Sequence, residues 1–172
     1  MERADFVQHR YRATHQHETV LGIADRLLHH LRDELVVAAM LAANQPGRSS
    51  AEIQQVFVEQ ARELGFRDES RGLFREYLSA LRPDYFMPLD ETGIILEVER
   101  GKTTINNMDL LDFWKCHICG HADYLFLLVP IELRQNAAMA PRREFASVRR
   151  RLATFFEPSN YTNVRGLCLF GY

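Results

Sequence analysis

Hydrophobic positions recur with a helical period through most of the first eighty residues. From position 20 to position 43 they follow three- and four-residue steps without a proline, which predicts helix. Ser50 is a suitable N-cap for a second helix, and Gly65 is a suitable C-terminal stop for it. A third helix must end before Pro83, which disfavours helical geometry in the residue before it. The predicted helices are Val20–Ala43, Ser50–Leu64 and Glu69–Leu81.

The pattern changes to short strand-like segments after position 82. Two of them flank the turn-like stretch Asp90–Gly93, which predicts a β-hairpin. Four further elements follow it, and a nearly continuous apolar run among them predicts a strand that is buried on both faces. These elements are a helix over 108–119, the buried strand over 124–133, and a basic helix over 141–157 before a C-terminal strand within 164–172. The order predicts a mixed α/β domain.

Length and composition favour one globular domain, since the chain has 172 residues of which 47% are hydrophobic and 26% are charged. We divide it into a helical N-terminal extension (1–68), an α/β core (69–135) and a C-terminal basic helix and strand (141–172). A formal net charge of −2 means that any positive surface must be local. Three cysteines do not suggest a disulfide framework, and no apolar run approaches the ~18 residues of a membrane span. We therefore expect a cytoplasmic protein.

Three carboxylates interrupt the apolar pattern of the predicted hairpin: Asp84, Glu97 and Glu99. If the turn has two residues and Asp90 lies opposite Gly93, then Asp84 lies opposite Glu99. Because side chains alternate between the faces of a strand, all three carboxylates then share one face. A register shift of a single residue would separate them.

The alternate residues Ile94, Leu96 and Val98 then point to the other face, toward a core. Like charges that face each other across a sheet destabilise it unless something compensates them. Mg²⁺ takes oxygen ligands and is often held by one or two carboxylates, where it can activate water for phosphodiester cleavage. The alternative is a hairpin at the sheet edge whose acids are simply solvated.

The arrangement Pro83-Asp84 followed by Glu97-Val98-Glu99 resembles the PD-(D/E)xK nuclease superfamily, which includes many restriction endonucleases. In that pattern an Asp begins one strand, and an acidic residue, any residue and Lys lie on the next. The resemblance covers about the central third of the chain. It implies a restriction-endonuclease-like mixed sheet in which a helix precedes the hairpin, and a helix and another strand follow it. It also implies Mg²⁺ or Mn²⁺ held by Asp84 and Glu97, and hydrolysis of phosphodiester bonds in DNA.

The chain departs from this pattern at the third position, where Glu99 stands in place of lysine. We expect Glu99 to complete the metal site or to position the attacking water. Lys102 and Lys115 are the two candidates for the cation that polarises the phosphate or the water, and Glu76 is a possible accessory acid. The alternative is a non-catalytic module that keeps the fold and binds nucleic acid or protein.

Basic residues near the C-terminus suggest a DNA-binding surface. The expected nucleic-acid contacts are Arg100, Arg142, Arg143, Arg149 and Arg150, with Arg142, Arg149 and Arg150 on one face of the basic helix. An ordinary solvated helix face explains the same run equally well. Cutting both strands of a duplex favours a homodimer, for which the N-terminal helices are the expected interface.

The segment from Cys116 to His121 contains a zinc-ligand spacing, Cys116-x₂-Cys119. Two cysteines three positions apart also share one side of a helix, where buried cysteine behaves as a small hydrophobe. We favour core packing over zinc. Trp114, on the same predicted helix, is expected to anchor that helix in the core.

Overall fold

The computed structural model describes residues 1–68, 82–101, 103–134 and 139–172. Its strands are β1 Glu2–Val7, β2 Arg67–Asp68, β3 Tyr85–Pro88, β4 Gly93–Val98, β5 Tyr124–Val129 and β6 Gly166–Gly171. Its α-helices are α1 His15–Leu31, α2 Glu34–Ala43, α3 Ser50–Leu64, α4 Met108–Ile118 and α5 Glu144–Ala153. Glu69–Leu81, the third predicted helix, lies outside the described residues.

These six strands form one mixed sheet in the order β1-β6-β5-β4-β3-β2. Strands β4, β5 and β6 run parallel, and the other neighbouring pairs are antiparallel. Parallel neighbours need a crossover connection, which α4 supplies between β4 and β5 and α5 supplies between β5 and β6. The prediction of an α/β domain is confirmed.

Helices cover both faces of the sheet, so β4, β5 and β6 are buried along their whole length. On one face, Leu27 and Phe57 of α1 and α3 pack against a core that includes Leu96. On the other face, Phe113 of α4 and Val148 of α5 pack in a second core. The result is a helix–sheet–helix arrangement in which β4 lies inside the sheet.

Strand β1 corrects the prediction that the first eighty residues are helical. Its six residues pair with β6 from Glu2 opposite Gly171 to Val7 opposite Gly166. An edge strand is only half-buried and needs no clean alternation, and here charged residues lie along it. Arg3 forms ion pairs with Asp5 and with Asp25 of α1, so the charges have local partners.

The single helix predicted over Val20–Ala43 is two helices, because Asp33 starts a new one. Its side chain accepts hydrogen bonds from the N–H groups of Leu35 and Val36 and thereby caps α2. The N-cap of α3 is Ser49 rather than Ser50, within a capping box. Gly65 ends α3 at a φ of 103°, as predicted.

Candidate functional site: a buried carboxylate cluster

The hairpin turn consists of Asp90 and Glu91, since the Leu89 N–H donates to the Thr92 carbonyl at 2.7 Å. The predicted turn, with Asp90 opposite Gly93, is therefore wrong. A Cβ at Gly93 would lie 2.4 Å from Cε2 of Phe86. Glycine is required here by a close approach inside the strand, and not by the turn.

The register error is two residues, so it leaves every side chain on its predicted face. Continuing the observed pairing by one position puts Asp84 opposite Glu97 instead of Glu99. Ile94, Leu96 and Val98 enter the core formed with α1 and α3, as expected. The carboxylates project from the opposite face, toward α4.

Asp84 and the end of β4 are joined by two bonds between backbone and side chain. The Asp84 N–H donates to Glu97 Oε2 at 3.1 Å, and the Val98 N–H donates to Asp84 Oδ2 at 2.9 Å. The side chain of Gln54 on α3 also reaches Asp84. These contacts fix both carboxylates at the start of β3 and the end of β4.

Helix α4 supplies a cation and a further acid to this site. Lys115 Nζ lies 2.9 Å from Glu97 Oε1 and 2.9 Å from Asp112 Oδ1. Glu97 is 2% exposed and Asp112 is 0% exposed, and the carboxyl of Glu99 lies beside that of Asp112. We call Asp84, Glu97, Glu99, Asp112 and Lys115 together the carboxylate cluster.

Burial controls the electrostatics of the cluster. Desolvation raises the pKa of Asp84, Glu97 and Asp112, and the neighbouring acids raise the pKa of Glu97 further. Burial and the charges of Asp112 and Asp84 together raise the pKa of Glu99 from 4.5 to about 8. Burial alone would lower the pKa of Lys115, but Glu97 and Asp112 outweigh it and raise that pKa. The ammonium therefore stays charged.

Helix α4 departs from the usual placement of residue types at four positions. Its buried face carries Asp109 and Asp112, both 0% exposed, whereas Leu111 and Trp114 are 50% and 57% exposed. The charge of Asp109 is compensated by Arg151, whose Nε lies 3.4 Å from Asp109 Oδ2. The acids thus lie against the sheet, and the prediction that Trp114 anchors the core is wrong.

Asp112 is a site residue that sequence reasoning missed. The only signal for it was its position three residues before Lys115 on a predicted helix, where the two side chains can meet. Tyr172 was missed as well, and its hydroxyl donates to the Glu99 carbonyl at 2.8 Å. Lys102 and Glu76 lie outside the described residues, so Lys115 is the lysine that the structure brings to the acids.

Replacing Glu99 by Gln is expected to stabilise the metal-free protein at alkaline pH. Because the pKa of Glu99 rises from 4.5 on folding, the native state binds more protons and loses stability as pH increases from 4.5 to about 8. Glu99→Gln removes that loss, which for a shift of this size amounts to up to about 4 kcal/mol at pH 8. Urea unfolding in EDTA at pH 5 and pH 8 measures it, with exposed Glu91→Gln as the control. If the difference in free energy of unfolding between Glu99→Gln and the wild type does not increase from pH 5 to pH 8, the expectation is contradicted.

The basic residues take different positions from one another. Arg142 precedes α5 rather than sharing its face, and its guanidinium donates to Thr104 Oγ1 at 2.9 Å. Arg100 donates to the carbonyls of Gln45 and Arg48. Arg143, Arg149 and Arg150 are exposed. Contact of these five arginines with DNA stays a prediction.

The cysteines at the end of α4 are part of the core. Cys116 is 0% exposed and Cys119 is 6% exposed, and burial raises the pKa of the Cys116 thiol well above its usual value. Within the described ranges, no three or more His, Cys, Asp or Glu side chains are grouped so that they could hold a metal ion. The preference for core packing over zinc agrees with this burial.

The chemistry of the donor set nevertheless suits Mg²⁺. The cluster offers carboxylate oxygens alone, which hard cations prefer, and Mg²⁺ commonly uses only one or two carboxylates and completes its shell with water and substrate phosphate. Asp84 and Glu97, joined through their backbone contacts, are the pair that fits this requirement.

No known family model, curated protein or solved structure matches the chain. No helix in the part of the chain that the structure describes is long and apolar enough to cross a membrane.

Proposed function

We propose that this chain is a metal-dependent nuclease that hydrolyses phosphodiester bonds in DNA. The observation that carries the proposal is the carboxylate cluster, in which four buried or half-buried acids lie together and two of them, Glu97 and Asp112, contact the ammonium of Lys115. Such a concentration of acids is costly in an apolar interior unless cations compensate it. A site for a divalent cation explains why the chain retains them.

In this proposal Asp84 and Glu97 hold Mg²⁺ or Mn²⁺. The bound ion supplies an activated water and stabilises the charge on the departing oxygen. Lys115, fixed by Glu97 and Asp112, supplies a permanent positive charge for the non-bridging oxygens of the phosphate. Glu99, beside Asp112, positions the attacking water, and Asp112 orients Lys115.

The finer assignment of the fold, a restriction-endonuclease-like core, is part of the same proposal. Its support is the order of elements around the acids. The hairpin β3–β4 carries Asp84 and Glu97, the crossover helix α4 brings Lys115, and β5 returns parallel to β4. This is the order that the resemblance implies for the catalytic core.

A plasmid cleavage assay tests the proposal. Supercoiled DNA is incubated with the purified protein in Mg²⁺, in Mn²⁺ and in EDTA, and nicked and linear products are quantified. We expect products in either cation and none in EDTA. Absence of cleavage of supercoiled, linear and single-stranded DNA in both cations would contradict the nuclease proposal.

A second candidate function is a non-catalytic binding module that retains this fold. The observation that favours it is that the protein itself already supplies hydrogen-bond partners to the two proposed metal ligands. Glu97 already accepts from Lys115 and from the Asp84 N–H, and Asp84 accepts from the Val98 N–H. In that case the cluster would be a structural ion-pair network, and it would bind no divalent cation.

Dimerisation through α2 is a further part of the proposal, because a duplex has two strands to cut. This helix has the sequence ELVVAAMLAA, yet among its residues only Met40 is buried, while Leu35 and Leu41 are 81% and 59% exposed. An isologous contact between two copies of α2 would cover this face.

Replacing Leu35 and Leu41 together by Gln is expected to convert a dimer to a monomer, since it places polar groups on both sides of the exposed face of α2. Light scattering after size-exclusion chromatography measures the mass of each form. Leu111→Gln, which changes an exposed leucine on α4, should leave the dimer intact. If the wild-type protein has the mass of a monomer throughout a roughly hundredfold range of protein concentration, this interface is contradicted.

A further inference from the structure

An aromatic surface that the nuclease proposal does not use lies on the outer side of α4. Trp114 stacks on His117 with ring centroids 5.1 Å apart, and His117 meets Tyr161 edge to face at 6.4 Å. Trp114 is 57% exposed and Tyr161 is 77% exposed. We call these three side chains the aromatic strip.

The loop before β6 holds the strip in place. The Asn163 N–H donates to His117 Nδ1 at 3.1 Å, and Asn163 Nδ2 donates to the His117 carbonyl at 2.9 Å. The Tyr161 hydroxyl donates to Asn163 Oδ1 at 2.7 Å. Isolated exposed hydrophobic side chains are normal on protein surfaces, but here rings from two separate segments are ordered against each other while remaining open to solvent.

Basic side chains continue the surface beyond Tyr161. Tyr161 lines a surface cavity of about 580 Å³ together with Arg10 and Arg12, and Glu157 is an acidic residue in the same wall. Next to them in the chain, Tyr11 is covered by two guanidinium groups, from Arg10 at 4.7 Å and from Arg165 at 4.9 Å. Arginine side chains therefore lie close to both Tyr161 and Tyr11.

We infer that this surface binds single-stranded nucleic acid, with unpaired bases stacked on Trp114 and Tyr161 and backbone phosphates near Arg10 and Arg12. Base-on-aromatic stacking combined with arginines along the backbone is the usual way in which proteins hold single strands without sequence preference. Duplex DNA does not offer this contact, because its base faces already stack on one another.

The strip and the carboxylate cluster share α4. Trp114 and Lys115 are consecutive, so their side chains leave the helix about 100° apart. A strand held on the strip therefore lies on an adjacent side of the helix that supplies Lys115 to the cluster. Binding of a single strand needs no cleavage and does not depend on the proposed function. The inference rests on the proposed function only where it makes an unpaired strand or flap the substrate of the nuclease.

Trp114 is the single tryptophan of the chain, so its fluorescence reports directly on the strip. The protein is titrated in EDTA, where no metal-dependent cleavage occurs, with oligo-dT, with oligo-U and with a duplex of the same length. We expect saturable quenching by at least one of the single strands, weakened by added salt, and at least tenfold weaker binding of the duplex. The two single-stranded arms show whether deoxyribose or ribose is preferred.

Tyr161→Ala should weaken single-strand binding at least fivefold in the same titration, as the loss of one stacked base predicts. Trp114→Ala, followed by the anisotropy of a labelled oligonucleotide, should weaken it similarly. Gln55→Ala, at an exposed position of α3 on the other face of the sheet, should have no effect. Absence of quenching by both single strands, equal binding of the duplex, or unchanged affinity in both aromatic variants would overturn the inference. Because no metal is present, a failure here is distinct from a failure of the plasmid assay.

Discussion

Glu97→Gln is expected to lower the rate of Mg²⁺-dependent DNA cleavage by about a thousandfold or more, which corresponds to about 4 kcal/mol in activation free energy. Glu97 is the residue at which the interactions of the cluster meet, since it contacts Lys115 through Oε1 and the Asp84 N–H through Oε2. The amide preserves shape and removes the negative charge. The rate of plasmid nicking under single-turnover conditions measures the effect.

Glu91→Gln is the matched control for this variant. It makes the same chemical change in the same hairpin, at an exposed residue of the turn, and should leave the nicking rate unchanged. A rate for Glu97→Gln within threefold of that of the wild type, in a protein of normal stability, would remove Glu97 from the proposed mechanism.

Lys115→Met is expected to lower the free energy of unfolding by about 2–4 kcal/mol at pH 8 in EDTA. The substitution leaves Glu97 and Asp112 buried without their shared cation, and removing one partner of a buried pair costs more than the pair contributes. At pH 5 the loss should be smaller, because the raised pKa values of Glu97 and Asp112 let them take up protons instead. Urea unfolding followed by circular dichroism measures both.

Two further variants test whether the stranded carboxylates cause the loss of stability in Lys115→Met. Adding Asp112→Asn to Lys115→Met should restore part of the lost stability, because it removes one of the two stranded charges. Arg149→Met, which removes an exposed cation from α5, should change the stability by less than about 0.5 kcal/mol. If Lys115→Met proves as stable as the wild type at pH 8, the ion pairs of the cluster do not form as described.

The faces of the hairpin were predictable from the sequence even though its register was not. Alternation has a period of two, so an error of two residues moved the partner of Asp84 from Glu99 to Glu97 without moving any side chain to the other face. The error arose because Gly93 resembles a turn residue, whereas its role is to make room for Phe86 inside the strand.

The burial of side chains on helix α4 could not be predicted from local sequence patterns. Apolarity predicts that Trp114 is buried and Asp112 is exposed, and the opposite holds. The placement of Asp112 depends on Glu97 and Lys115, which come together only once β4 and α4 are packed. Strand β1 escaped prediction for a similar reason, since its pairing partner β6 lies at the other end of the chain.

Calorimetric titration of Mn²⁺ and Mg²⁺ into the metal-free protein tests the central claim, that the carboxylate cluster is a cation site, most directly. We expect wild-type protein and Glu91→Gln to bind the cations in the micromolar to millimolar range, and Glu97→Gln to lose this binding. Binding that persists unchanged in Glu97→Gln, or no binding to the wild type with or without a non-cleavable oligonucleotide that supplies phosphate ligands, would contradict it.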